Sequence, residues 1–144
     1  MIELSIRQLP RSHQRKVQGD LFHELAETIV AEEFGLSEFN DSEWYDCILK
    51  STGTKYEVKS TSDRIRSGKG RFRLWESQHR SLTAAEGQNM AWYAFVLLDT
   101  SDGVIRIQRM RPSTVTGIIR DRGGWNRSGH SKGKQHKLPI GAVF

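Results

Sequence analysis

The chain reads as an α/β fold with a mixed sheet, and three stretches predict it. An amphipathic helical period runs through residues 14–34, two short β-prone runs fold back on each other at Gly53, and residues 91–98 form an unbroken apolar run. That last run is too short to span a bilayer and suits a strand buried on both faces. At 144 residues the chain has the length of one domain, with a core expected over about 14–110 and a basic tail over about 120–144. It is long enough to bury a core without disulfides or structural metal.

The elements follow from the N-terminus. Ile2, Leu4 and Ile6 alternate with polar residues up to Pro10, which predicts an edge strand or a loose arm. Val17, Leu21, Leu25, Ile29 and Val30 recur at helical spacing, and Gly35 is expected to end that helix. Residues 35–43 are polar and acidic, with a turn at Asn40-Asp41-Ser42 and room for a short strand around 36–39. Residues 44–50 and 54–60 form the hairpin. Residues 61–73, rich in arginine, glycine and serine, read as a mobile basic loop. A second helix is expected over 74–85, closed by Gly87; after the central strand, residues 104–110 alternate as a half-exposed edge strand. Pro112 opens a helix over 113–120. Residues 121–137 show no period, and the apolar ending 138–144 is expected to dock as a strand or extended segment.

Charge is distributed unevenly. Net charge is +5, but residues 1–60 carry −4 and residues 61–144 carry +9. A basic half beside an acidic half suits a phosphodiester ligand, the alternative being simple solubility. Cys47 is the only cysteine, so no internal disulfide and no cysteine-based zinc site can form, and it is expected to be a small buried strand residue. His130 and His136 have no third histidine nearby to make a zinc site. No run of eighteen apolar residues and no signal-peptide pattern occur, so a soluble intracellular protein is expected; no P-loop or GxGxxG points to a nucleotide cofactor.

The hairpin carries the chemistry. In Thr54-Lys55-Tyr56-Glu57-Val58-Lys59-Ser60, alternate side chains share a face, so Glu57 and Lys59 project together while Tyr56 and Val58 project the other way. Asp46 lies on the preceding run, Trp44-Tyr45-Asp46-Cys47-Ile48-Leu49-Lys50, where a suitable register sets its carboxylate beside that of Glu57. Asp46, Glu57 and the Val58 carbonyl then offer hard oxygen ligands for Mg²⁺, with Mn²⁺ as a substitute, and Lys59 can steer a water or stabilise developing negative charge.

An Asp followed a dozen residues later by acid-x-Lys resembles the PD-(D/E)xK nuclease superfamily, and within it the archaeal-type Holliday-junction resolvases and their restriction-enzyme relatives. The likeness spans residues 18–98, with Tyr45 standing where the eponymous proline precedes the Asp. The resemblance implies a restriction endonuclease-like core in the order helix, three-strand meander, helix, strand. It implies a Mg²⁺-dependent endonuclease acting on DNA, with branched or junction DNA as the preferred substrate, working as a homodimer. Asp46 and Glu57 would be ligands and Lys59 would organise the attacking water. Within Gly19-Asp20-Leu21-Phe22-His23-Glu24-Leu25, Glu24 would complete the metal site, although strict spacing falls on His23. Gln78 on the second helix would lie near the scissile phosphate, with His79 beside it a solvated helix residue.

Phosphate contacts are expected from Arg64, Arg66, Lys69, Arg71 and Arg73 in the basic loop and from Arg127, Lys132 and Lys134 in the tail. Trp125 reads either as a stacking platform or as a cap on the core. The rival function is a nucleic-acid-binding module of the same fold that performs no chemistry.

Overall fold

The computed structural model describes residues 1–39, 44–66 and 68–144, so the turn expected at 40–42 lies outside the described residues. The order of elements is β1 (Ile2–Ser5), α1 (Arg11–Gln14), α2 (Phe22–Phe34), β2 (Ser37–Glu38), β3 (Cys47–Leu49), β4 (Thr54–Ser62), β5 (Arg71–Trp75), α3 (Glu76–Glu86), β6 (Ala91–Asp99), β7 (Val104–Met110), α4 (Pro112–Asp121) and β8 (Gln135–Pro139). Six strands make a mixed sheet in the order β1-β7-β6-β4-β3-β2, and β5 pairs with β8 in a separate antiparallel ribbon. Strands β2, β3 and β4 form an antiparallel meander, and β4 runs parallel to β6.

The sheet is buried on both faces, and β6 shows why its sequence is apolar throughout. Ala94, Val96 and Leu98 pack with Leu25, Ala26, Ile29 and Val30 of α2, while Tyr93 and Phe95 pack with Phe72, Leu82 and Val115 from β5, α3 and α4. Each fully buried side chain of this size contributes about 1.5–3 kcal/mol, so a strand sandwiched between two layers can spare no polar position. Helix α2 ends as its sequence predicts: Gly35 is left-handed at φ 65° and Leu36 donates its N–H to the Ala31 carbonyl at 2.8 Å.

Several expectations change with tertiary context. The helix expected over 14–34 begins only at Phe22: α1 closes at Gln14, the residues between are turns and bends that include Gly19 at φ 84°, and Leu21 is exposed. Strand β7 is expected at an edge, yet β1 pairs outside it, with Ile2 opposite Ile107. Its Arg106 is held across the strands by Glu3 (3.2 Å), Asp102 (2.9 Å) and Asp99.

Of the expected basic loop, residues 61–62 extend β4 and 71–73 open β5. Between them Asp63 accepts hydrogen bonds from the Thr100 and Ser101 backbone and hydroxyls at 2.7–3.3 Å, which tie the start of the loop to the β6–β7 turn. Leu74 and Trp75 belong to β5 rather than to the second helix, since they pair with His136 and Gln135. The tail, expected without structure up to 137, supplies that partner strand.

Gly70 sits where β5 leaves the end of β4. A Cβ there would lie 2.1 Å from the Ser62 carbonyl oxygen and 2.2 Å from Thr61 Oγ1. Backbone cannot retreat as a side chain can, so Gly70→Ala should cost roughly 1–3 kcal/mol, the range for overpacking. Urea denaturation of the two proteins measures it, and equal midpoints would show that β5 can move away from β4.

Candidate active site

Strand β3 stops where β4 continues, and the site lies at that step. Cys47 is in register with Tyr56, yet Asp46 also donates its N–H to the Tyr56 carbonyl at 2.8 Å, so two residues oppose one as at a β-bulge. The bulge turns the Asp46 carboxylate onto the bare edge of β4, where its Oδ2 accepts the Val58 N–H at 2.8 Å. The pleat puts the Val58 carbonyl on that same edge, beyond Cys47, the first residue of β3.

The two faces of β4 are distinct. Tyr56 stacks on Phe34 of α2, with ring centroids 5.6 Å apart, and Val58 joins the same cluster, so Glu57 and Lys59 point toward α3. There Lys59 Nζ donates to Gln78 Oε1 at 3.3 Å. Asp46 and Glu57 line a cleft of about 720 Å³ whose other walls are Trp44, Tyr45, Ser77, Gln78, Ser81, Ser131 and Lys132. From the opposite face Glu27 of α2 reaches the same carboxylate.

Electrostatics bind these groups together. Burial pushes the Glu57 carboxyl well above the usual range; the Lys59 ammonium opposes that rise, while a hydrogen bond shared with Asp46 and the charges of Asp46 and Glu27 add to it. Glu27 is raised to about 7, first by burial, then by the charge of Asp46 and a hydrogen bond to it, with Glu38 and Glu24 adding smaller repulsions. A hydrogen bond between carboxyls requires a proton on one of them, and the raised groups are the ones that hold it. Cys47 is buried among these acids and its thiol is pushed up to about 12, chiefly by burial. It behaves as a packing residue, its Sγ 3.8 Å from the Glu27 carbonyl.

The structure thus brings Asp46, Glu57, Lys59 and the Val58 edge together. Glu24, expected to complete the site, is exposed one turn earlier on α2, and Glu27 is the helix acid against Asp46. Spacing within the helix could have found Glu27, because residues three apart share a face. Gln78 and Lys132 line the cleft, whereas Arg64, Arg66 and Lys69 line a separate hollow beside Asp63 and Asp102. Six residue steps along extended chain separate Glu57 from Asp63, roughly 20 Å at the usual rise. Arg71 lies on another hollow, and Arg73 sits over the Trp75 ring at 5.7 Å. Arg127 is exposed, and the Lys134 carbonyl accepts the Glu76 N–H at 3.0 Å.

His79, expected in solvent, is buried. Thr116 donates its hydroxyl to the Pro112 carbonyl, so its oxygen accepts His79 Nε2–H at 2.8 Å and leaves Nδ1 to accept the Tyr93 hydroxyl at 2.8 Å. Burial lowers the histidine pKa, in keeping with this neutral tautomer. Tyr93 is the β6 residue in register with Glu57, and the Trp125 ring lies 5.4 Å from His79, packing in the core cluster.

Crowded carboxylates at one cleft, with a strand-edge carbonyl beside them, form a donor set suited to a hard divalent cation, whose charge would relieve the repulsion that raises Glu57 and Glu27. That is the chemistry of a metal-assisted hydrolase on an α/β scaffold. Residues 11–144 match the family model described as PD-(D/E)XK nuclease superfamily domain, and the chain belongs to this superfamily, which points to a metal-dependent nuclease. No curated protein matched the chain.

The crowding predicts a pH dependence for the ion-free protein. Glu27 holds its proton to about pH 7 when folded and to about 4.5 in the ordinary carboxyl, so the folded state binds more protons between those values and stability falls as pH rises through that window. Glu27→Gln removes the repulsion. Because Glu27 is only half-buried, the gain above pH 7 should be on the order of 1 kcal/mol rather than the full shift. Urea midpoints of both proteins at pH 5 and pH 8 check it: the gap should open only at pH 8, and parallel curves would remove the crowding.

Proposed function

We propose that this protein is a Mg²⁺-dependent DNA endonuclease, active also with Mn²⁺, that prefers branched or junction DNA and acts as a homodimer. The observation that carries the reading is the Asp46 carboxylate held on the Val58 N–H at 2.8 Å and hydrogen-bonded to Glu57, beside Lys59 on an open cleft. Asp46, Glu57 and the Val58 carbonyl would hold the ion, with Glu27 acting on it only through its contact with Asp46. Among the described residues no three or more His, Cys, Asp or Glu side chains are grouped to hold an ion, so main-chain oxygen and water would complete the shell. A bound Mg²⁺ supplies a Lewis acid and an acidified water at the scissile phosphate.

The chain's own groups do the remainder. Lys59, steadied by Gln78 at 3.3 Å, places a positive charge where negative charge develops on the phosphate and orients the attacking water. Burial of Glu57 keeps competing solvent away from one side of the reacting centre. Lys132 at the far wall of the cleft can meet the neighbouring backbone phosphate, and the junction preference rests on the likeness to resolvases.

Lys59→Met keeps the stem on the strand and deletes the amine. Single-turnover cleavage at saturating protein should slow roughly 10²–10³-fold, the scale for one charge-stabilising group, while DNA affinity changes little. Asp46→Asn should abolish Mg²⁺-dependent cutting on a panel of four-way, flap and linear duplex substrates. Wild-type protein that binds DNA and leaves every substrate intact with both Mg²⁺ and Mn²⁺ would make it a binding module.

A further inference from the structure

A second hollow, of about 350 Å³, opens on the outer side of the β5–β8 ribbon, and the segment that forms the far wall of the catalytic cleft also forms part of its rim. Arg71 comes from β5, Lys137 from β8, and Arg122 from the end of α4. Alternation along the ribbon explains the first two: Phe72 and Leu138 point into the core, so Arg71 and Lys137 point out. Among the described residues lining the hollow none is acidic, and the nearest acid in sequence, Asp121, lies 3.7 Å from Arg120. No ion pair or side-chain hydrogen bond engages Arg71, Arg122 or Lys137 among the described residues. Elsewhere Arg106, Arg109 and Arg111 are all partnered.

The wall of this hollow is built rather than loose. Gly123 and Gly124 adopt φ 104° and 74°, which lets the chain turn sharply after α4. The Gly124 carbonyl then accepts His136 Nδ1–H at 2.7 Å and Asn126 Nδ2–H at 3.2 Å. Asn126 and Gln135 exchange two backbone hydrogen bonds at 2.8 Å, fixing the segment to β8. Beside them Gln135 Oε1 is buried without a hydrogen-bond partner, the one such side-chain atom among the described residues. Three cations without an acidic partner thus line one concave surface, and an anion entering it would meet positive charge from three separate elements, while Gln135 Oε1, an acceptor, takes no part in holding it.

We propose that Arg71, Arg122 and Lys137 form a phosphate-binding pocket, distinct from the catalytic cleft, that holds one phosphate of the nucleic acid while another is cut. Guanidinium forks suit tetrahedral oxygens, and a concave site fits one phosphate group better than a flat basic face does. The assignment of nucleic acid as the source rests on the nuclease reading; the phosphate chemistry does not.

The test uses the full chain. Titrating wild-type protein with inorganic phosphate should shift the amide resonances of Asn126 and Gln135 saturably, and Arg122→Ala/Lys137→Ala should lose that response while keeping its melting temperature. With a duplex, the double variant should lower the salt slope of log affinity by about one unit, so that its deficit shrinks roughly threefold between 50 and 200 mM salt. Cleavage at saturating protein should stay at the wild-type rate. Comparing 5′-phosphorylated with 5′-hydroxyl duplexes separates the two sources: an equal loss of affinity in both assigns a backbone phosphate, and a loss confined to the phosphorylated duplex assigns a strand end. Absence of a saturable shift in wild type, or an unchanged salt slope in the variant, overturns the pocket. Absence of cleavage by wild type, with shift and slope as expected, overturns the nuclease reading and leaves the pocket standing.

Discussion

The hydrogen bond from the Val58 N–H to the Asp46 carboxylate is the constraint on which the site depends. A strand that outruns its neighbour exposes main-chain donors and acceptors that must be satisfied. Here β3 ends at Cys47, and the first side chain past its end closes the bare edge of β4 at 2.8 Å. That bond holds Asp46 near the plane of the sheet rather than on either face. From there it can be met by Glu57 from the α3 side and by Glu27 from the α2 side. One backbone mismatch therefore gathers three carboxyl groups whose residues belong to opposite faces.

Gathering them is costly. Like charges in a partly buried place raise one another's pKa, and both Glu57 and Glu27 are raised. The surrounding core bears that cost: β6 buries side chains on both faces, and the parallel β4–β6 pairing sets Tyr93 beside Glu57. Tyr93 in turn is held by neutral His79, which is itself held by Thr116, so the floor under the site is a satisfied polar chain rather than mobile side chains. A bistable or wet floor would let the carboxylates spread and their mutual repulsion relax.

The division of charge along the sequence becomes a division in space. Acidic groups gather on α2, on β4 and at Asp46 just before β3, while the ribbon of β5 and β8 and the end of α4 carry Arg71, Arg73, Lys137 and Arg122. Antiparallel pairing of two strands far apart in sequence turns separate basic segments into one outward face. Such a surface offers a polyanion positive charge beside an acidic centre that by itself would repel it.

By itself the sequence determined what local periodicity encodes. Alternation placed Glu57 and Lys59 on one face of β4, the apolar run 91–98 became β6, and Gly35 ended α2. It also carried the acid-x-Lys likeness that the family match supports at the level of the superfamily. Tertiary structure alone decided the rest. Glu27 rather than Glu24 meets Asp46 because the sheet docks beside that turn of α2: the helical period narrows the choice to acids on one face, and only the docking says which turn is met. Leu74 and Trp75 become strand because their partner, β8, lies some sixty residues away, in a tail whose own pattern is silent. His79 is buried rather than solvated because α4 and Trp125 close over it, bringing a hydroxyl and a ring that residues around position 79 cannot foretell. Short-range pattern fixes which way a side chain points within its element; which group it then meets depends on pairings between distant segments.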